Sequence, residues 1–345
     1  MNHDSAGEIG ATRIRLAAFE TEGNKLQRVV EKIYMSQEHR GLPDIIAHFI
    51  RTEGIPVQSA CFGVAGPVRG GRSRISNLPW IIDSRELAEQ LKLSSVGLIN
   101  DLEAYAYGVD ALESQDFVTL SEGSDDAEGN RAVISARTGL GVAGLYWDGY
   151  RHHPFACEGG HTDFAPRNDL EVELLQYLLK KYGHVSCERI LSGPGIKNIY
   201  DFLRDTKKAE EPHWLSEQIN EAQDAPPLIS HLALEGKAPI CEQTLAIVSV
   251  YGAETGNCAL NFMSTGGIFI GGSIAAKIVP KMKDPIFMQA FSGKGRMQVL
   301  LQDIPVKIVL NDDSGIIGAA RYTLIQKAFG RAKRVVRNDS SELAS

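Results

Sequence analysis

Leu98-Ile99-Asn100-Asp101-Leu102-Glu103-Ala104-Tyr105 is the stretch of sequence that decides the fold. Its apolar start predicts the end of a buried strand, and the residues after Asp101 predict a helix. Asp101 therefore lies at the carboxyl end of a strand, where open α/β sheets bind their ligands. A carboxylate there can accept a proton from a bound hydroxyl, and Asn100 offers both a donor and an acceptor. The alternative is that the Asn-Asp pair only caps the helix, since both residue types favour that position.

The composition of the chain excludes several classes of protein. Its 345 residues, 43% of them hydrophobic, are enough for two domains with substantial cores. A net charge of −7 argues against binding to nucleic acid or to an anionic membrane surface, and no apolar run reaches the length of a membrane span. The five cysteines are scattered and form no C-x-x-C pair, which indicates reduced thiols. We therefore expect a cytoplasmic protein.

The order of strands, helices and glycine turns predicts an α/β fold that is duplicated within the chain. Residues 8–20 predict a tight turn followed by a strand, and residues 132–147 repeat that plan. The segment before the first turn, Asn2-His3-Asp4-Ser5, is unusually polar for a strand. Residues 242–262 predict one long helix, and the charged residues 207–227 predict an excursion from the core. Two such units predict a ligand cleft between the halves.

Three glycine-bearing turns are candidates for binding phosphate: Gly10-Ala11-Thr12, Arg137-Thr138-Gly139-Leu140-Gly141 and Gly271-Gly272-Ser273. Glycine lets backbone N–H groups approach a phosphate closely, and a threonine hydroxyl can add a contact. Each turn alone is weak evidence, because a hairpin turn needs glycine with or without a ligand. None of them has the spacing of a P-loop or of a dinucleotide-binding G-x-G-x-x-G motif.

A second polar cluster is Glu158-Gly159-Gly160-His161-Thr162-Asp163-Phe164-Ala165-Pro166. Glu158 and His161 flank a glycine pair, which brings an acceptor and a donor together in a manner suited to neighbouring hydroxyls of a sugar. The alternative is a surface turn with incidental polar residues. A metal site with Cys157 and the nearby histidines is disfavoured, because structural zinc sites have paired ligands at both ends.

Three motifs resemble those of bacterial ATP-dependent glucokinases: Leu98-Ile-Asn-Asp-Leu-Glu-Ala, Glu158-Gly-Gly-His-Thr-Asp-Phe-Ala-Pro and Glu188-Arg-Ile-Leu-Ser-Gly-Pro-Gly. The resemblance covers residues 8–328 and implies the two-lobed, actin-like ATPase fold, a duplicated ribonuclease H-like fold with an interlobe cleft. It implies Mg²⁺ and ATP as cofactors, glucose as substrate, Asp101 as the base for the 6-hydroxyl, and a homodimer. The side chains that it places on glucose are Asn100, Asp101, Glu158, His161 and Glu188. Five hydrogen-bonding side chains suit a polyol.

By the same resemblance, ATP lies across the three turns. The residues implied in ATP binding are Glu8, Gly10, Ala11, Thr12, Arg137, Thr138, Gly139, Gly271 and Gly272, and Glu8 is expected to hold hydrated Mg²⁺ through water. The predicted small lobe, residues 1–111 with 312–330, contains the sugar base and the first phosphate turn. The predicted large lobe, residues 112–311, contains the second turn, the sugar loop and the adenosine site. Residues 331–345 predict a disordered tail.

The phosphate side departs from the family pattern at Glu8, Ala11 and Arg137. The family's first turn is Asp-x-Gly-Gly-Thr and its second is Gly-Thr-Gly, whereas this chain has Glu8-Ile9-Gly10-Ala11-Thr12 and Arg137-Thr138-Gly139. Arg137 is the largest change, and it adds backbone strain if its φ is positive. Arg137 either stabilises the transferred charge or fills the ATP pocket, for instance by pairing with Glu8. The sequence thus predicts a glucokinase first, and a catalytically impaired sugar-binding paralogue, a sensor or regulator, second.

Overall fold

The computed structural model describes residues 3–22, 25–75 and 78–342, with side chains up to residue 328 apart from Glu22. The strands are β1 (His3–Ile9), β2 (Arg13–Glu22), β3 (Lys25–Met35), β4 (Val57–Val64), β5 (Val68–Arg69), β6 (Arg72–Arg74), β7 (Ile81–Asp83), β8 (Ser95–Asn100), β9 (Phe117–Ser121), β10 (Arg131–Ala136), β11 (Leu140–Trp147), β12 (His152–Cys157), β13 (Ile268–Gly271) and β14 (Val306–Val309). The helices are α1 (Leu42–Glu53), α2 (Ser84–Leu91), α3 (Asp101–Val109), α4 (Asp169–Tyr182), α5 (Gly193–Asp205), α6 (His213–Glu221), α7 (Ala225–Leu234), α8 (Pro239–Thr244), α9 (Ile247–Phe262), α10 (Ser273–Lys277), α11 (Val279–Met282), α12 (Pro285–Ser292), α13 (Gln298–Gln302) and α14 (Ser314–Glu342).

The chain divides into two compact units. Unit 1 comprises Met1–Leu112 with Asp313–Ser345, and unit 2 comprises Glu113–Asp312. Each junction lies one residue from the boundary that the sequence predicted. The functions assigned to the two lobes stay predictions.

The two units have the same strand plan. The main sheet of unit 1 has the order β3-β2-β1-β4-β8, in which β1 to β3 are antiparallel and β1, β4 and β8 are parallel. The sheet of unit 2 has the order β12-β11-β10-β13-β14-β9. Its strands β10 to β12 are antiparallel, β10, β13 and β14 are parallel, and β9 is an antiparallel edge. The duplicated α/β arrangement predicted from the sequence is confirmed.

Strand β1 is central in its sheet although its first residues are polar. Asp4 and Ser5 are both buried. Lys327 of α14 donates to the Asp4 carboxylate at 2.5 Å, and the Ser5 hydroxyl donates to the carbonyl oxygen of Ala17 at 3.2 Å. Buried polar groups are tolerated when they are hydrogen-bonded. Hydrogen-bond partners on other elements therefore explain how a polar segment forms a central strand. Asn2, the first residue of the predicted polar segment, lies outside the described residues.

Helix α14 closes unit 1. Ala319 and Ala320 share a hydrophobic cluster with Ala6 of β1 and Cys61 of β4. Residues 331–342 were predicted to be a disordered tail, but their backbone continues helix α14 as far as Glu342. No glycine or proline, the strongest helix breakers, occurs in residues 331–342. Residues 343–345 of the predicted tail lie outside the described residues.

Two predictions about unit 2 were wrong. The helix predicted for residues 242–262 is two helices, α8 and α9, so that α8 packs on α5 and α7 while α9 packs on α12. Gly252 makes the second contact possible, because a Cβ there would lie 2.2 Å from the carbonyl oxygen of Phe287. Residues 207–227 are not an excursion, since Leu215 and Ile219 of α6 are buried in the core of the unit. Among the described residues, no helix combines the length and apolarity that crossing a membrane requires.

Candidate active site

Asp101 is the first residue of α3, directly after β8. Asn100 is the N-cap of this helix, and its Oδ1 accepts from the backbone N–H groups of Leu102 at 2.9 Å and Glu103 at 3.2 Å. Burial raises the pKa of Glu103, and a hydrogen bond from the Asn100 backbone opposes that shift. The Asn100 side chain thus satisfies two of the free N–H groups at the start of the helix. Asn100 therefore caps the helix, and the cap fixes Asp101 immediately beyond it.

The first glycine turn lies at the same edge of the sheet as Asn100. The register of unit 1 aligns Ile9 with Val64, and Val64 with Asn100. The turn and the start of α3 are thus two strand spacings apart, about 10 Å. Gly10 has little room for a side chain, because a Cβ there would lie 2.9 Å from the carbonyl oxygen of Arg13. The other two turn residues, Ala11 and Thr12, are half-buried and exposed respectively.

The Glu8 carboxylate belongs to an ion-pair network within unit 1. Arg15 donates to Glu8 at 3.1 Å, to Glu31 at 2.9 Å and to Asp313 at 2.5 Å. Burial alone would lower the pKa of Arg15, but these three carboxylates raise it. A Cβ on Gly315 would lie 2.0 Å from Oε1 of Glu8, so this glycine gives Glu8 its space. Arg15, Asp313 and Gly315 were not predicted as site residues. In the sequence they are marked only by their charge or, for Gly315, by the lack of a side chain.

In unit 2, the second glycine turn touches a predicted sugar ligand. The backbone N–H of Leu140 donates to Oε2 of Glu188 at 3.0 Å. A Cβ on Gly139 would lie 2.6 Å from the same oxygen, and the φ of Gly139 is not positive. A side chain at this position would therefore displace the Glu188 carboxylate, while the backbone of the turn does not itself call for glycine.

The sugar loop, defined as residues 158–163, packs on the same turn. A Cβ on Gly160 would lie 1.9 Å from the carbonyl oxygen of Leu140. Within the loop, the backbone N–H of His161 donates to the carbonyl oxygen of Glu158 at 3.0 Å. Glu158 and His161 are both exposed. The structure thus brings together Glu158, His161, Glu188 and the turn, all within unit 2.

The third glycine turn lies beside the second. Gly272 has a φ of +89°, and a Cβ there would lie 2.3 Å from the carbonyl oxygen of Ala136. Ala136 immediately precedes Arg137, whose own carbonyl oxygen accepts from the backbone N–H of Gly193 at 2.8 Å. The turn at Gly271 and Gly272, the turn at Arg137 and the start of α5 therefore meet in one region of unit 2.

Arg137 is accommodated without backbone strain, because its φ is not positive. Its Nη2 pairs with Oδ1 of Asp312 at 3.6 Å, and the two side chains are 41% and 76% exposed. Such an exposed pair contributes little stability. Glu8, the partner suggested for Arg137 from the sequence, accepts a hydrogen bond from Arg15 at 3.1 Å.

A cavity of about 510 Å³ opens beside these turns in unit 2. Arg137, Thr138 and Lys277 line its polar side, and Ile196 and Ile219 are part of its apolar side. Clefts of this size hold small-molecule ligands such as a nucleoside. The cavity was not predicted, because Ile219 lies in residues 207–227, which were expected to leave the core. The spacing of Leu215 and Ile219, four residues apart on one helix face, was the available signal.

Comparisons with known proteins show the family of the chain. A family model described as Glucokinase matches residues 6–326. A glucokinase of Trichormus variabilis is 40% identical over 331 residues, covering 91% of this chain and 97% of that protein. The crystal structure of a glucokinase from an Antarctic psychrotroph is 29% identical, with a TM-score of 0.79 and coverage of 94% of this chain and 99% of that one.

A more distant structure, a ROK family glucokinase from Streptomyces griseus, was solved in complex with glucose and AMPPNP. It is 17% identical with a TM-score of 0.61, covers 93% of this chain and 99% of that one, and shows the fold alone. The fold class predicted from the sequence, the actin-like ATPase class, is confirmed. The chain therefore belongs to the glucokinase family of ATP-dependent hexose kinases.

Proposed function

We propose that the protein transfers the γ-phosphoryl group of ATP to the 6-hydroxyl of glucose, giving glucose 6-phosphate. One observation carries the proposal: the Leu140 amide of the second turn donates to Glu188 at 3.0 Å. A predicted phosphate turn and a predicted sugar ligand are therefore in direct contact. Phosphoryl transfer depends on holding donor and acceptor close together and aligned. Membership of the glucokinase family supports the same reaction.

We propose that five side chains bind glucose. The side chains are Asn100, Asp101, Glu158, His161 and Glu188. Carboxylates accept hydrogen bonds from sugar hydroxyls, and the hydrogen bond from Leu140 orients the Glu188 carboxylate for that task. Gly160 seats the sugar loop against the Leu140 carbonyl, which supports the positions of Glu158 and His161.

Asp101 is the general base in this proposal. It takes the proton from the 6-hydroxyl while the oxygen attacks the γ-phosphorus in line with the leaving group. The Asn100 side-chain cap holds the first turn of α3, which begins at Asp101. A base fixed in this way needs little reorganisation when the substrate arrives.

We propose that ATP occupies the cavity in unit 2, with adenosine against its apolar side and the phosphates toward Arg137, Thr138 and the turn at Gly271 and Gly272. When bound, Mg²⁺ neutralises negative charge on the phosphates. Glu8 is the residue that would hold it through water, because Mg²⁺ usually keeps several waters and uses only one or two carboxylates. The first turn, from Gly10 to Thr12, would approach the phosphates with its backbone.

A catalytically impaired sugar-binding paralogue is the second candidate. The observation that favours it is the hydrogen bond from Arg15 to Glu8, at 3.1 Å. An arginine on this carboxylate competes with a hydrated cation for the same oxygens. In this case the protein binds glucose and acts as a sensor or regulator, while the altered residues Ala11 and Arg137 fail to support transfer.

Two further expectations follow, the first from the composition of the chain and the second from the family resemblance. We propose that the protein is cytoplasmic and that it forms a homodimer. Sedimentation of the purified protein at micromolar concentration tests the second expectation, since a monomer and a dimer of a 37.6 kDa chain differ twofold in mass.

The test of the proposed function measures glucose 6-phosphate formation with Mg²⁺-ATP, together with calorimetric glucose binding on the same preparation. We expect turnover in the range of ordinary kinases, about 1–100 per second. Asp101→Asn should lower kcat by about 10²–10⁴-fold, because general-base catalysis contributes that much, while leaving glucose binding close to wild type.

The matched control is Asp110→Asn, at the C-terminal end of the same helix, which should leave kcat unchanged. Wild-type turnover in Asp101→Asn would show that Asp101 is not the base. Tight glucose binding by the wild type without turnover would establish the second candidate.

A further inference from the structure

A second cavity of unit 2 lies at the amino-terminal ends of its parallel strands, whereas the second and third glycine turns follow their carboxyl ends. It has a volume of about 240 Å³ and is lined by Gly267, just before β13, and by Pro305, just before β14. Arg131, the first residue of β10, also lines it. The turn at Arg137 begins at the other end of β10, about 16 Å away along the strand. The cavity is therefore separate from the proposed ATP site.

Two cations and an aromatic ring line this cavity from one face of the sheet. The register places Phe269 of β13 directly beside Lys307 of β14. It also places Ala132 of β10 beside Ile268 of β13. Because side chains alternate between the faces of a sheet, Arg131 shares the face of Phe269 and Lys307. All three side chains line the cavity.

The Arg131 guanidinium is held in place by two contacts. Its central carbon lies 5.7 Å from the centre of the Phe269 ring, a cation–π contact. Its Nε donates to the carbonyl oxygen of Gly266, just before Gly267, at 3.2 Å. A guanidinium oriented in this way can receive a planar or tetrahedral anion without first having to be ordered.

Lys307 is half-buried, and its ammonium group has no ion-pair or hydrogen-bond partner within the described part of the chain. A partly buried charge without a counterion lowers stability. An anion in the cavity would supply that counterion. The one carboxylate that the described residues contribute to the lining belongs to Asp125, which is exposed.

We propose that this cavity is a second anion site, which binds a phosphate group through Arg131 and Lys307. Two cations lining one small cavity suit a compact anion with two charges, and arginine and lysine are the usual phosphate ligands. The phosphate group is either inorganic or carried by a small polyol, whose hydroxyls would donate to Asp125. The inference is independent of the proposed reaction, because none of the lining residues takes part in it.

The test is calorimetric titration of the full-length protein with inorganic phosphate and, separately, with glucose 6-phosphate as the polyol phosphate. We expect a Kd on the order of 1 mM for at least one of them, as two charge-assisted hydrogen bonds would give. The ligand should slow hydrogen exchange at the amides of residues 124–131 and 266–269, which distinguishes this cavity from the proposed active site. Lys307→Gln should raise the Kd at least about tenfold and abolish this protection.

The matched control is Lys283→Gln, which removes the charge of an exposed lysine in unit 2 that lines neither cavity. It should keep the wild-type Kd and the wild-type protection. If Lys307→Gln does not fold, Ala127→Glu takes its place, because a carboxylate added to the lining repels the anion and should cause the same loss.

Binding of inorganic phosphate alone would identify the free ion as the ligand, and tighter binding of glucose 6-phosphate would identify a polyol phosphate. Either result, with the loss in Lys307→Gln, supports the inference. A wild type in which neither ligand slows exchange in the two segments would overturn it. Equal protection in wild type and in folded Lys307→Gln would overturn it as well.

Discussion

Gly160→Ala tests whether the contact between the sugar loop and the second turn sets the site. A Cβ at this position would lie 1.9 Å from the carbonyl oxygen of Leu140, whereas ordinary contact begins at 3.4 Å. The two backbone segments must therefore separate by about 1.5 Å, the difference between these distances. Displacing positioning groups by 1 Å can cost about 100-fold in rate. Overpacking of this kind costs about 1–3 kcal/mol of stability.

We expect kcat/KM for glucose to fall by about 100-fold, because Glu158 and His161 move with the loop. The melting temperature should fall by about 2–4 °C for each kcal/mol lost, given the size of unit 2. Steady-state kinetics and scanning calorimetry measure these two effects on one preparation. The matched control is Gly41→Ala, where the nearest heavy atom is 3.5 Å from the added Cβ and the φ of 179° suits any residue.

A folded Gly160→Ala protein with wild-type kcat/KM for glucose would refute this reasoning. It would mean either that the loop can yield by more than an ångström at no cost to binding, or that the loop does not bind glucose. A loss of activity equal to that of Gly41→Ala would lead to the same conclusion.

Three further predictions concern the phosphate side and its ion pairs. Arg137→Gly should raise turnover with ATP more than about threefold without changing the KM for glucose, because it opens the cavity beside Thr138; steady-state kinetics that show no gain in a folded variant would contradict this. Gly315→Ala should displace the Glu8 carboxylate, because Oε1 of Glu8 would lie 2.0 Å from the new Cβ. The Mg²⁺ concentration needed for half-maximal turnover should therefore rise. An unchanged Mg²⁺ dependence would show that Glu8 does not hold the metal. Burial alone would raise the pKa of Asp313, but hydrogen bonds from two arginines lower it below 3.8, so its contribution to stability is present above that pH and is lost as the pH falls. Urea unfolding at about pH 5 and about pH 3 should show a smaller loss of stability in Asp313→Asn than in wild type, and equal losses would contradict the assigned ion pairs.

The fold class could be predicted because its signals are local. A strand followed by a glycine turn and a second strand occurs near residue 10 and again near residue 139, and neither pattern spans more than twenty residues. The same local signals located Asn100 and Asp101 at the end of a strand. The structure confirms that Asn100 caps the helix, whereas the role of the neighbouring Asp101 as a base stays a prediction.

The reasons for particular residues could not be predicted, because they lie in contacts between distant segments. Gly139 looks like a turn glycine in the sequence, yet its φ is not positive and its lack of a side chain serves Glu188, which is 49 positions later. Arg137 was expected to strain the turn if its φ were positive, but its φ is not positive, and its side chain pairs with Asp312. Sequence patterns indicate where helices and strands lie. The space around a glycine depends instead on which distant residues the fold places next to it.

Unit 1 is assembled from both ends of the chain, and this has a consequence for its biosynthesis. Ala6 and Ala319 belong to one hydrophobic cluster, and the buried Asp4 receives its cation from Lys327. A ribosome adding about 5–20 residues per second must complete the whole of unit 2 before α14 emerges. During that interval the sheet of unit 1 has a buried carboxylate without its counterion and an apolar face without its helix. A nascent chain that stalls before α14 would thus present these surfaces to chaperones and proteases, although most of its sequence had already been made.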